Sequence, residues 1–311
     1  MKLYGWTRCE RGVTLTEIIM AMATSGILLA AITSSFISQQ RSYAVQNQIA
    51  DMTVNARSAL DRLTRDVRMA GYGLPEADWL ERIDWVKDRE GNPRRFLEPI
   101  EIMSGGQSPD QIILIGAFDR PIAHLSQAAS VDDIQLQLDY TSSSKLDSKK
   151  RKLIYIGRNE PALITGPPDN QQPQPQIDID TDPDQPGNQG VAWRYSRTPL
   201  LPPIELISVV TYKVVIDSRN YTTPTPVLKR DTNTGGGAQP LAEYIEAVRF
   251  SRDGDTVTIT VTARTANPDP NYLHPQAKDR YRRLTLTSQW TWPHESGHIW
   301  EEILPHPSHR F

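Results

Sequence analysis

A single carboxylate, Glu17, stands at the head of Ile18 to Ile37, a run of twenty residues with no charge and no proline. A run of that length can span a bilayer, and an ionised group at its edge is expensive in lipid unless it meets a positive partner. The chemistry open to Glu17 is therefore charge neutralisation, most economically of a positive group on a neighbouring copy or subunit, such as a newly exposed N-terminal amine. A second constellation, His294-Glu-Ser-Gly-His298, matches the H-E-x-x-H pattern in which two histidines one helical turn apart bind zinc and the glutamate activates water. Pro293 and Gly297 oppose the helix that this chemistry needs, and Glu301 and Leu304 occupy the positions of the extended signature. His294 and His298 thus stand only as metal candidates. Asp178-Ile-Asp-Thr-Asp-Pro-Asp184 has the alternating carboxylates of a calcium loop, but Pro183 replaces the glycine and Gln189 the bidentate glutamate of an EF-hand.

The remaining chemistry is sparse. Lys149-Lys-Arg-Lys152 and Arg280-Tyr-Arg-Arg283 read as solvated faces, because no aromatic platform is interleaved with the charge, and no nucleic acid is expected as a partner. No phosphate-cradling loop, nucleophile elbow or paired acid and base is visible, so neither an enzyme nor a cofactor is expected.

The elements that must position Glu17 begin with a basic leader. Lys2, Arg8 and Arg11 precede the apolar run, and by the positive-inside rule the leader stays cytoplasmic while everything after Ile37 is exported. A secretory signal would place its cleavage site after the apolar segment; here the candidate site, Gly12, lies before it, so the segment is retained. Beyond Ile37 the helix continues in another style. Val45, Ile49, Met52, Ala56, Ala59 with Leu60, Leu63, Val67 and Ala70 recur at alternating spacings of four and three, one apolar face, with Arg57, Asp61, Arg62, Arg65, Asp66 and Arg68 assigned largely to the other faces and Asp61 and Arg65 as an i,i+4 pair. Gly71-Tyr72-Gly73 supplies the stop. The spacing predicts one helix over 14–70, about 85 Å long at ~1.5 Å per residue.

Two groups of residues carry a resemblance. Gly12-Val-Thr-Leu-Thr-Glu17 followed by an apolar helix resembles the type III signal of type IV prepilins and of type II secretion pseudopilins. Asn55-Ala-Arg-Ser-Ala-Leu-Asp-Arg-Leu-Thr-Arg-Asp-Val-Arg-Met-Ala-Gly-Tyr72 resembles the minor type IV pilins of the PilW-like family, with Arg68-Met-Ala-Gly-Tyr72 the most specific piece. Val13 stands where that group most often has phenylalanine, and no proline interrupts the first helix. The resemblance covers residues 8–73. It implies that a prepilin peptidase cuts between Gly12 and Val13 and methylates the new amine, and that Glu17 neutralises the amine of an adjacent subunit during assembly. It implies a minor pilin that primes the pilus with other minor pilins and the major pilin and sits near the filament tip, where it can hold an adhesin. Before assembly, inner-membrane lipid surrounds the helix and the head lies in the periplasm. J-type pseudopilins of type II secretion share Leu63-Thr-Arg-Asp66 and form the alternative; a membrane-anchored zinc protease built on His294, Glu295 and His298 is the third reading.

Composition agrees with an anchored, exported chain. The 311 residues carry 37 acidic and 34 basic side chains; loss of residues 1–12 removes three basic and one acidic residue and moves the formal charge from -3 to -5. The one cysteine, Cys9, lies in the leader, and all 24 prolines fall from Pro75 onward. That shift separates a helical stalk from a loop-rich remainder. Strand patterns appear at 98–103, 111–116, 133–138, 152–157, 204–216, 244–251, 256–263 and 281–292, with a hairpin at Arg252-Asp-Gly-Asp255. Two Pro/Gly-rich stretches, 166–190 and 222–237, read as loops. The expected architecture is α+β and pilin-like: leader 1–12, membrane or filament-core half-helix 13–37, amphipathic half-helix 38–73, a head over 74–292 whose mainly antiparallel sheet lies on the helix, and a His/Trp-rich tail 293–311.

Overall fold

The computed structural model describes residues 13–74, 78–83, 86, 93–106, 108–139, 152–166, 175–196, 202–218, 223–233 and 236–291. The chain is α+β. Its first element, α1 (Leu15–Met69), is one 55-residue helix. The Thr14 side chain caps it by accepting from the Glu17 backbone N–H, and the acidic Glu17 sits in the first turn, where it favours the positive end of the helix dipole. At the other end Gly71 and Gly73 take φ of 86° and 88°, left-handed values that cost glycine nothing. The chain then turns onto the sheet: the Gly71 N–H donates to the Ile115 carbonyl at 2.7 Å and the Ala117 N–H to the Tyr72 carbonyl at 3.0 Å. A Cβ on Gly116 would lie 2.7 Å from the Met69 carbonyl oxygen, so this close approach requires glycine.

Two sheets lie on the C-terminal half of α1. The first has five strands in the order β1 (Ile100–Met103), β2 (Gln111–Gly116), β9 (Ser208–Asp217), β10 (Thr225–Asp231), β11 (Gln239–Glu243); the second is the meander β12 (Ile245–Asp253), β13 (Thr256–Arg264), β14 (Arg283–Thr291). All their pairings are antiparallel. The helix contributes Met52, Ala56, Ala59, Leu63, Val67 and Ala70 to a shared core with Ile112, Leu114, Tyr212 and Leu228 of the first sheet and Phe250, Val257, Ile259 and Val261 of the second. The alanines let the helix approach, and each buried Leu, Ile, Val or Phe contributes roughly 1.5–3 kcal/mol. In β13 the alternation is complete: Val257, Ile259, Val261 and Ala263 point inward, while Thr256, Thr260 and Thr262 pair outward with Thr291, Thr287 and Thr285.

Strand β14 fixes the direction of the head along the helix. Its distal end places Trp290 under the Arg68 guanidinium, 4.6 Å from the ring centroid. Just beyond its proximal end, the Asn267 N–H donates to the Gln48 side chain. The strand therefore runs alongside α1 in the same sense, with the connection 265–282 at the end nearer the apolar half-helix.

Between β2 and β9, which pair directly, the chain makes a separate six-stranded layer: β3 (Ala123–His124), β8 (Pro203–Leu206), β5 (Lys152–Ile156), β6 (Glu160–Ile164), β7 (Gln176–Asp180), β4 (Gln135–Gln137) in spatial order. Its two edges meet through a Leu125↔Leu138 bridge, a 2.9 Å bond from the Ser126 N–H to the Gln137 carbonyl and another from Asp139 to His124, so the layer closes into a small barrel. Leu136, Ile154, Ile156, Ile177, Ile179 and Ile204 fill it. The barrel rests on the face of the first sheet turned away from α1. There Ile113, Ile115 and Val209 meet Leu153 and Leu163, with Trp79, Leu80 and Ile83 from the short helix α2 (Asp78–Glu81) and its end wedged between. Strand β2 is thus apolar on both faces, Ile112 and Leu114 toward the helix, Ile113 and Ile115 toward the barrel.

Several expectations are corrected here. The stretch 204–216 is two strands in two layers, divided at Ile207, which carries the chain from barrel to sheet. The expected loop 166–190 contains β7, because Ile177 and Ile179 alternate at the strand period and fill the barrel while the intervening carboxylates are hydrogen-bonded. The expected loop 222–237 contains β10, an internal strand; Pro226 is tolerated because pairing with β11 begins one residue later, at Val227. Among the described residues the head is three sheets rather than one, and two of them touch the helix.

Candidate functional site

The N-terminal half of α1 is the most unusual surface of the molecule. It is the one helix among the described residues long and apolar enough to cross a membrane, and none of its apolar window is buried. Leu15, Ile19, Met20, Met22, Ile27, Leu28 and Phe36 all stand exposed. Isolated apolar residues on a surface are ordinary; a continuous apolar cylinder is a surface that water does not favour. Inside it, Thr24 and Thr33 turn their hydroxyls back to the Met20 and Leu29 carbonyls at 2.9 and 2.8 Å, which satisfies those two donors within the helix. This is consistent with a single-pass membrane anchor.

Val13 precedes the cap and is exposed, as is Glu17 in the first turn. Glu17 has its backbone N–H tied to Thr14, and no cationic side chain pairs with its carboxylate among the described residues. Gly12, the other half of the expected processing site, lies outside the described residues, as do His294, Glu295, His298 and the rest of 292–311. The acidic run is described, and its members point to separate partners. Asp178 accepts from the Gln135 amide at 3.0 Å; Asp180 accepts from the backbone of Asp182 and Gln189, both at 3.1 Å; Asp184 pairs with Arg82 at 2.7 Å. No group of three or more His, Cys, Asp or Glu converges as a metal site among the described residues.

Where the stalk meets the head, the structure brings together a cluster that the sequence reading missed. Asp66, assigned there to an outer face, is 1% exposed. The Tyr212 hydroxyl donates to its Oδ2, the Arg230 Nε approaches the same oxygen at 3.2 Å, and Arg62 Nε lies 3.2 Å from Oδ1. Asp119 stands 3.9 Å from both guanidinium groups. Two arginines thus face two carboxylates across the helix–sheet seam, and the expected Asp61–Arg65 pair gives way to Arg62–Asp66. Burial, with the Asp66 charge, pushes the Tyr212 phenol up, so it remains a donor. Burial opposes the charge on Arg62, but Asp66 and Tyr212 outweigh it and its pKa rises. The signal was present: Asp66 continues the four-and-three spacing through 52, 56, 59 and 63.

A second junction joins stalk and barrel. Tyr72 packs edge-on to Tyr155 with centroids 5.3 Å apart, beside Glu205. Burial pushes the Glu205 carboxyl up, with Arg158, 3.5 Å away, partly opposing. The chemistry of both junctions is attachment: they hold the head rigidly on a helix whose other half is bare. Comparison with protein-family models, with curated proteins and with solved structures returned no match to this chain.

Proposed function

We propose that the chain is a minor type IV pilin of the PilW-like kind, a structural subunit that helps prime the pilus and sits near its tip. The observation that carries the reading is the division of α1: one half packed under a rigid head, the other bare, apolar and headed by Glu17. Before assembly that half sits in inner-membrane lipid with the head in the periplasm. Cleavage after Gly12 by a prepilin peptidase frees an amine at Val13, which is then methylated. In the assembling complex the bare helix packs against helices of other minor pilins and the major pilin. There Glu17 pairs with a neighbour's amine in a medium where an unpaired carboxylate is costly. The barrel adds bulk on the face away from the helix, suiting a tip position where it can contact an adhesin.

The test is the intact mass and N-terminal sequence of the protein recovered from membranes with and without prepilin peptidase. A chain beginning at methylated Val13 only when the peptidase is present supports the reading; a chain beginning at Met1 in both refutes it. A J-type pseudopilin would pass the same test, and a deletion strain separates the two: loss of pili with intact protein secretion selects the pilus.

A further inference from the structure

The connection between β13 and β14 lies at the end of the head nearer the bare half-helix, and it is built as a rigid finger. The strand ladder continues past Thr265, whose N–H donates to the Arg282 carbonyl at 2.9 Å, as far as the Asp269 N–H to Arg280 carbonyl bond at 2.8 Å. Arg282 grips Asp269 at 2.8 Å and lies over the Tyr272 ring. Arg283 grips Asp279 at 2.6 Å. The His274 ring accepts from the backbone N–H groups of Gln276 and Ala277, closing the tip. What this framework presents outward is Leu273, 61% exposed, together with the exposed cations Lys278 and Arg280. Neither cation has an ion pair among the described residues, whereas every carboxylate of the finger is engaged by an arginine. Over 265–283 there are four cations and two carboxylates.

The position matches a bilayer surface. Asn267 is level with Gln48, eleven residues beyond Ile37, or about 16 Å along the helix. The finger extends from there toward the apolar half by several residues at ~3.3 Å each, about the distance needed to reach the headgroups. We propose that this finger docks on the membrane: Leu273 enters the interface, Lys278 and Arg280 pair with anionic phospholipid headgroups, and the unassembled subunit is held with its head down on the lipid. The proposal rests on the anchored reading of α1. An ordered loop offers one leucine and two cations without paying to order them, which is how weak interfacial contacts become orienting ones.

The test uses the full chain in nanodiscs, in a C9S background, with a fluorophore on single cysteines and doxyl-labelled lipid as quencher. Leu273→Cys reports the finger, Leu28→Cys the middle of the apolar half, and Leu97→Cys the opposite end of the head, where Arg252 of the β12–β13 hairpin pairs with Glu98. In anionic lipid, quenching is expected at 28 and 273 and not at 97. The K278Q/R280Q variant is expected to lower the docked-to-undocked ratio at 273 at least about fivefold, as is replacement of anionic by neutral lipid. Quenching at 28 with none at 273 overturns the docking while the anchor stands. Quenching at 273 that ignores lipid charge and the double variant overturns the headgroup pairing. No quenching at 28 overturns the anchor and the proposal together.

Discussion

Replacing Asp66 by alanine tests whether the buried cluster holds the stalk to the head. The carboxylate is inaccessible and faces two arginines and a tyrosine, so its removal leaves cationic groups without their nearest counter-charge in a partly dry seam. Breaking a fully buried pair costs about 3–5 kcal/mol. Arg62 keeps 29% side-chain exposure and both arginines retain distant contact with Asp119, which brings the expectation to about 3 kcal/mol, at the lower end of that range. Tyr212→Phe removes one donor from a carboxylate that keeps two cations and should cost about 1–2 kcal/mol. Hydrogen exchange on the full chain in detergent reads the effect locally, in peptides covering the buried face of α1 between Met52 and Met69. A loss of about 3 kcal/mol accelerates exchange there on the order of a hundredfold by D66A, provided that exchange follows the opening equilibrium. The apolar half of the helix, which makes no contact with the cluster, should not respond. Exchange in 52–69 changed by less than threefold would refute the view that the cluster clamps helix to sheet, and would leave the apolar face alone to do so.

Three further expectations follow from particular contacts. Gly116→Ala drives a Cβ against the Met69 carbonyl and should cost about 2 kcal/mol or more, read as a lowered thermal midpoint with unchanged helix content. Glu160 accepts from the Ala192 backbone and the Tyr195 hydroxyl, each at 2.8 Å, so E160A should loosen 191–195 to exchange while protection of α1 stays unchanged. Asp279 is held down to about 2 by its hydrogen bond to Arg283, against an ordinary 3.8. Its folded pKa is depressed, so the stabilisation is present above about pH 4 and lost as pH falls toward 2. Limited pepsin digestion at Tyr272 or Leu273 should appear across that window and shift to higher pH in R283Q; an identical profile in both proteins would contradict the assignment.

Much of the fold was legible where the determinants are local. The four-and-three spacing from Met52 to Ala70, the Gly71 stop and the strand over 256–263 each lie within one element, and each forms as read. The barrel was not legible, since its closure depends on Leu125 meeting Leu138 and on Ile207 switching the chain between layers, facts of tertiary pairing without a local signature. Asp66 was hidden for a different reason. Its register placed it inward, but its charge argued outward, and the partners that reverse the balance, Tyr212 and Arg230, lie 146 and 164 residues away. Glu17 is the converse case: its place at the head of the helix was plain, and the partner expected for it belongs to another chain.

The barrel leaves and rejoins the sheet at the paired positions Gly116 and Ser208. Both of its tethers therefore emerge side by side, about 5 Å apart as opposed residues in an antiparallel ladder are. A two-residue turn could not simply close the same gap, because Ala117, Phe118 and Asp119, the first residues of the outgoing tether, belong to the helix–sheet seam. Beyond those three residues the barrel is a cassette: it can be lengthened, resurfaced or exchanged for another module at the expense of the Tyr72–Tyr155 contact, while the helix keeps its packing on the two sheets.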